Sequence, residues 1–191
     1  MLKIGIIVGS TRPGRRAPEI AEWVLKFAKE RTDAEFEIVD IKDFNLPLLD
    51  EAIPPSLDKY QNAHTKAWAA KIASFDGFVF VTPEYNHSIS GALKNAIDFI
   101  FKEWNDKAAG FVSYGTTGGA RAVEHLRGIA AEIMIADVRA HVSLSLFTDF
   151  VNFGDFTPAE YHTAQVKTML GQLVAWAEAM KGVREKKAAA K

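Results

Sequence analysis

The chain has 191 residues, 48% of them hydrophobic and 25% charged, which suits one packed domain and excludes a disordered or fibrous polypeptide. Its 23 Lys plus Arg stand against 24 Asp plus Glu, for a formal net charge of −1. No overall field therefore draws it to nucleic acid or to an anionic membrane. It has no cysteine, which excludes disulfides, thiolate metal sites, iron–sulfur clusters and dithiol redox chemistry, so that any redox function must use a cofactor.

Leu2 to Val8, with Ile4, Ile6, Ile7 and Val8, reads as a central strand ending at Gly9. That run is too short for a signal-peptide core, and nothing approaches the roughly 18 apolar residues of a membrane span, so a cytoplasmic protein is expected. A loop, Gly9 to Arg16, leads into a helical stripe of Ile20, Val24, Phe27 and Ala28 that extends to about Arg31. Phe36, Ile38, Val39 and Ile41 make a second strand. Lys42 to Gln61, with Pro47, Pro54 and Pro55 among Leu46, Leu48 and Leu49, is an irregular crossover whose apolar residues are expected against the body. Ala63 to Ala73 reads as a helix.

The stretch from Asp76 to Ile100 organises the rest. Phe78 to Val81 is a buried strand, Pro83 begins a polar elbow, and Leu93, Ala96, Ile97, Ile100 and Phe101 trace an amphipathic helix. Ala108 to Ser113 gives a fourth strand, ending in a Tyr-Gly-Thr-Thr-Gly-Gly turn, and Val123, Leu126, Ala130 and Ile133 a fourth helix. Val138 to Phe147 alternates as an edge strand does. The phenylalanines at 147, 150, 153 and 156 fit neither period and suit either core or a subunit interface. A final helix is expected from Pro158 to about Lys181, leaving 182–191 as a frayed charged tail.

Five strands alternating with five helices predict a doubly wound α/β domain over residues 1–181; strand order is not written in the sequence, but a phosphate-type loop after the first of five parallel strands fits the flavodoxin-like order 2-1-3-4-5. In that order the loops after strands one, three and four share one edge, where ligands of such sheets bind. The first loop offers Ser10, Thr11, Arg12, Arg15 and Arg16 just before a helix, a pattern for a phosphate or for a solvated basic loop. From Gly9 to Gly14 it has Walker spacing, but Arg15 and Arg16 replace the Lys and Ser or Thr of that motif, and the G-x-G-x-x-G fingerprint is absent. The elbow PEYNHS and the glycine turn either meet a planar ligand or serve as ordinary turns.

Other chemistries fit poorly. Glu84 and His87 have Glu-x-x-His spacing, but only once and in a turn, so no metal is expected. G-x-S-x-G is missing around Ser88 and Ser90. Gly9 and Ser10 occupy the place where a receiver domain needs carboxylates.

GSTRPGR in the first loop, PEYNHSISGALKNAIDF at the elbow and SYGTTGG in the turn resemble the NADPH-dependent FMN reductase family, over about residues 2 to 180. The resemblance implies a flavoprotein that binds FMN and uses NADPH or NADH to reduce a quinone, free flavin or similar acceptor by a ping-pong mechanism. It implies that Ser10, Arg12, Arg15, Arg16 and Ala17 hold the FMN phosphate, that Pro83, Glu84, Tyr85, Asn86 and His87 line the ring, and that Ser113, Gly115, Gly118 and Gly119 pass along its other edge. It also implies a homodimer or homotetramer. Ala17 replaces a frequent hydroxyl or amide residue. Ser90 stands where proline is frequent, which loosens the elbow but supplies a candidate helix N-cap. Because the flavin carries the chemistry, no catalytic residue is assigned. The alternative is a flavodoxin-type electron carrier that does not react directly with NAD(P)H.

Overall fold

The computed structural model describes residues 1–190. In chain order it contains β1 (Leu2–Val8), α1 (Ala17–Ala28), β2 (Ala34–Asp40), 3-10 turns at Ile41–Phe44 and Pro55–Leu57, α2 (Ala63–Ala73), β3 (Gly77–Pro83), α3 (Gly91–Asp98), β4 (Lys107–Gly115), α4 (Ala120–Glu132), β5 (Ile135–Ser145), a hairpin of β6 (Phe150–Val151) and β7 (Asp155–Phe156), and α5 (His162–Ala189). The first five strands form one sheet in the order β2-β1-β3-β4-β5. All its pairings are parallel.

Strand alternation divides the apolar side chains between two cores. Ile4, Ile6, Val8, Val79 and Val81 face one side, packing with residues of α1 and α5. Ile7, Phe78, Phe80 and Phe111 face the other, where α2, α3 and α4 supply Trp68, Leu93, Ile97, Val123 and Leu126. Because helices cover both faces, β3 and β4 are buried along their whole length, which is why they read as unbroken apolar runs. The two indoles in the second core satisfy their N–H groups on carbonyls: Trp68 donates to Ala96 at 2.7 Å and Trp104 to Ile97 at 3.2 Å.

Several expectations change. In the crossover Leu46 packs against the body, but Leu48, Leu49 and Leu57 are exposed, Leu48 at 86%. Prolines and two residues with left-handed backbone, Asn45 and Asp58, bend this segment outward. The last helix begins at His162 rather than Pro158 and runs through Ala189. Residues 182–189 are therefore helical, not frayed. Arg184 bonds Asp76 and the Asp106 carbonyl, and Lys187 bonds both Asp106 oxygens. Residue 191 of the expected tail lies outside the described residues.

The phenylalanine cluster forms the hairpin. Phe150 is buried between Tyr114 and Phe156, and Phe156 meets Trp23 edge-on at 5.5 Å. Phe147 and Phe153 are exposed and face each other at 5.7 Å. Buried Asp149 pins the hairpin by accepting from the Ser145 and Ala159 amides at 2.8 and 3.0 Å, with His162 Nε2 3.0 Å away.

Candidate functional site

The parallel order brings the loops after β1, β3 and β4 to the carboxyl edge of the sheet, as the sequence predicts. They are tied to one another. Gly9 N donates to Val81 O at 2.8 Å, and a Cβ at Gly9 would lie 2.8 Å from that same carbonyl, so only glycine fits. Ser90 Oγ donates to Gly9 O at 2.6 Å and accepts from Leu93 N at 3.0 Å. Ser90 thus caps α3 and fastens the elbow to the first loop. The expected loosening does not occur.

In the first loop Ser10 is buried, its Oγ 3.0 Å from the Tyr85 hydroxyl. Arg12 is exposed, its guanidinium 5.9 Å from the centre of the Tyr85 ring. Arg16 is the N-cap of α1 and offers no side-chain cap. Ala17, the first helical residue, is fully buried, so a larger side chain there would face the core. Pro18 has no N–H and Ile20 N bonds Arg16 O at 3.1 Å, so this first turn offers an acceptor the Ala17 and Glu19 amides. Arg15 is not free. Its guanidinium bonds Asp40 Oδ1 at 2.8 Å and the Ser10 carbonyl, with both side chains mostly buried. Arg15 shapes the loop from behind, while Arg16 turns toward Glu19 at 3.9 Å.

At the elbow Pro83 ends β3 and is buried. Glu84 N donates to Tyr114 O at 2.9 Å, and the Glu84 carboxylate takes Arg121 Nε at 2.6 Å and Arg121 N at 3.2 Å, capping the start of α4. Tyr85 and Ser88 exchange backbone bonds at 2.9 and 3.2 Å around Asn86 and His87, whose φ values are 48° and 75°. Two successive left-handed residues make a tight reversed turn, and Asn and His are among the non-glycine residues that tolerate that region. Their side chains are exposed. His125 on α4 holds Ser88 Oγ at 2.9 Å, with its ring 5.9 Å from that of His87.

In the third loop Ser113 and Ser143 both donate to Gly118 O, at 2.7 and 2.8 Å. Gly118 and Gly119 have φ near 70°. A Cβ on Gly118 would overlap Ser143 Oγ, and one on Gly119 would lie 2.7 Å from the Ser113 Cβ. These glycines are required by the turn's own packing. Gly115 O accepts from Leu146 N at 3.0 Å, joining the turn to the segment that leads to the hairpin.

The sequence reading placed Tyr114 in the Ser113–Gly119 turn but gave its side chain no role. The Tyr114 hydroxyl is buried beside Ser10 and the Ala17 amide, which both act on it at the edge of hydrogen-bonding range without completing a well-formed bond. Burial first, then Tyr85, pushes its ionisation above the ordinary range, against the pull of Ser10. Its place in an apolar strand hid it, although inward alternation from Val112 was a usable signal. Among the described residues no group of three or more metal-ligating side chains exists, and no helix is long and apolar enough to cross a membrane.

The model of the family described as NADPH-dependent FMN reductase matches residues 2–149. The chain belongs to that family. The reductase is 39% identical over 175 residues to an NAD(P)H-dependent FMN reductase of Schizosaccharomyces pombe, covering 89% of this chain and 88% of the relative. It is 34% identical to a quinone reductase of Escherichia coli, covering 67% and 69% of the two chains. Among solved structures it resembles FerB, an NAD(P)H:acceptor oxidoreductase of Paracoccus denitrificans, with a TM-score of 0.75, 21% identity, and 94% and 99% coverage. Flavodoxin 1 of Bacillus cereus also matches, with a TM-score of 0.55, 16% identity, and 91% and 97% coverage. At these identities the structural likenesses establish the flavodoxin-like fold. The family match makes the chain an oxidoreductase of FMN and NAD(P)H.

Proposed function

We propose that the three-loop edge holds FMN, and that the protein passes hydride from NAD(P)H to a quinone, free flavin or related small acceptor in alternating half-reactions. The observation that carries this reading is the buried Tyr114 hydroxyl, which with Ser10 and the Ala17 amide converges on one spot at the start of α1 without completing a well-formed bond there. An unpaired buried hydroxyl costs about 1–3 kcal/mol, and a phosphate oxygen there would accept from Tyr114, Ser10 and the helix amides together. Arg12 stands exposed at the mouth to add charge.

The same reading assigns the flavin ring to the surface between the Tyr85–Ser88 turn and Gly115 to Gly119. Bound FMN supplies a reversible hydride acceptor. The residues of this chain position it. Asp40 and Arg15 hold the first loop in shape, Ser90 locks the elbow, and the amides that the two turns do not use in their own bonds would supply donors to the ring, where donors stabilise developing negative charge. The side chains of Pro83 and Glu84 shape the elbow from behind. Exposed Asn86 and His87 leave one side open for nicotinamide and acceptor to use in turn.

Purified protein with added FMN is expected to give a bound-flavin spectrum that bleaches with anaerobic NADPH. Initial rates against a quinone should give parallel double-reciprocal lines. A bound spectrum that stays oxidised would point to an electron carrier, and failure to bind FMN would refute the assignment of the edge.

A further inference from the structure

Reduction of a quinone consumes two electrons and two protons, and hydride delivers only one of those protons. The second must come from an acid beside the acceptor. The following inference rests on the proposed reading of the elbow as the flavin site.

Most protonic groups of this edge are committed elsewhere. Both Glu84 oxygens bond Arg121. The Tyr85 hydroxyl is turned to Ser10, the Tyr114 hydroxyl is buried, and Ser113 Oγ is used inside the glycine turn. On the neighbouring helices Lys94 pairs with Asp98 at 2.7 Å, and Glu124 lies 3.5 Å from Arg127. His125 spends Nδ1 on Ser88. His87 has no hydrogen-bond partner among the described residues, is exposed, and sits at the tip of the tight turn, its ring 5.9 Å from that of His125. Imidazole is the side chain that holds an exchangeable proton near neutrality without special surroundings. The backbone at position 87 has φ 75°, a left-handed conformation that disfavours most side chains. The turn thus fixes the direction in which this imidazole leaves the chain.

We propose that His87 is the acid that protonates the acceptor oxygen, and that His125, anchored by Ser88, is a positioning residue that fixes its orientation. Hydride adds its electron pair to the quinone, His87 as imidazolium gives its ring proton to the developing phenolate oxygen, and the neutral ring takes a proton back from solvent. The overall balance is NAD(P)H, one proton and quinone giving NAD(P)+ and hydroquinone. General-acid catalysis by a positioned side chain contributes about 10²–10⁴-fold. Water competes at an exposed site, which favours the lower end.

The test follows reoxidation of the NADPH-reduced holoprotein in stopped flow, with 1,4-benzoquinone and with ferricyanide, which takes electrons and no proton. His87→Asn keeps tolerance for the left-handed turn and removes the acid. It is expected to lower the ratio of quinone to ferricyanide rates at least tenfold. His125→Phe should lower the ratio less. As a readout independent of turnover, hydroquinone added to the oxidised holoprotein should shift the His87 ring signals in NMR spectra. Equal slowing with both acceptors, an unchanged ratio, or an unmoved His87 signal would each overturn the proposal. A wild-type flavin that NADPH does not reduce would instead overturn the reading beneath it, and the proposal with it.

Discussion

Tyr114 separates stability from binding at one atom. Its hydroxyl is buried, and neither Ser10 nor the Ala17 amide completes a well-formed bond to it. Tyr114→Phe should therefore raise the melting temperature by about 2–4 °C, the equivalent of roughly 1 kcal/mol in a domain of this size. The same variant should weaken FMN binding about tenfold, the worth of one hydrogen bond to a charged acceptor. Thermal scans and flavin titration of one preparation check both signs, and a variant both less stable and unaltered in affinity would show the hydroxyl to be structural. Tyr114 also shows why residue roles were only partly legible. Ser10 and Arg12 stood out as loop residues and Tyr85 by resemblance, whereas the burial of the Tyr114 hydroxyl exists only because β4 is buried on both faces.

At the level of elements, α3 depends on Ser90 for its cap and for its tie to Gly9. Ser90→Ala should cost about 2 kcal/mol, from the lost cap and the stranded buried carbonyl, and lower the melting temperature by roughly 4–8 °C. A change under 1 °C would mean that the tie is incidental. The end of α2 is capped differently. Lys107, at the start of β4, is buried and donates to Ile72 O at 2.7 Å. Burial, then the Arg184 charge, lowers its pKa to about 7. The unfolded chain keeps the ordinary lysine value, so between about pH 7 and 10 the unfolded state binds more protons, and stability attributable to this group rises with pH. Lys107→Met should accordingly raise the melting temperature at pH 7, by something on the order of 5 °C, with the advantage shrinking toward pH 10. An equal loss of stability at both pH values would show that the carbonyl contacts outweigh desolvation.

For the whole molecule, the exposed apolar residues fall in distinct places. Leu48, Leu49 and Leu57 protrude from the crossover, and Phe147 and Phe153 from the hairpin. A groove of about 740 Å³ with Ile89 and Ile129 in its walls lies between α3 and α4 beside the elbow. We propose that a second copy of the chain covers part of this surface, close to the flavin site. Light scattering at micromolar concentration should give at least twice the 21.1 kDa chain mass. A monomer would refute the assembly and leave the proposed flavin site standing.

The amino-acid sequence by itself determined the five strands of the main sheet, the five helices and the three unusual loops, while the order 2-1-3-4-5 was matched to a known pattern and the β6–β7 hairpin was not read. The elements and loops follow from hydrophobic period, from strands buried on both faces, and from local turn chemistry, all of which act over short stretches of chain. Tertiary structure decided which charged groups are available. Arg15 reads like Arg12, but Asp40, at the end of the neighbouring strand, occupies it. Glu84 reads as a ring contact, but the start of α4 takes its carboxylate. The 182–189 segment reads as a loose charged tail, but Asp76 and Asp106 lie where the helix can reach them. In each case the partner is remote in sequence. A charge's partner depends on which residues the sheet brings within about 4 Å, and no local pattern records that distance.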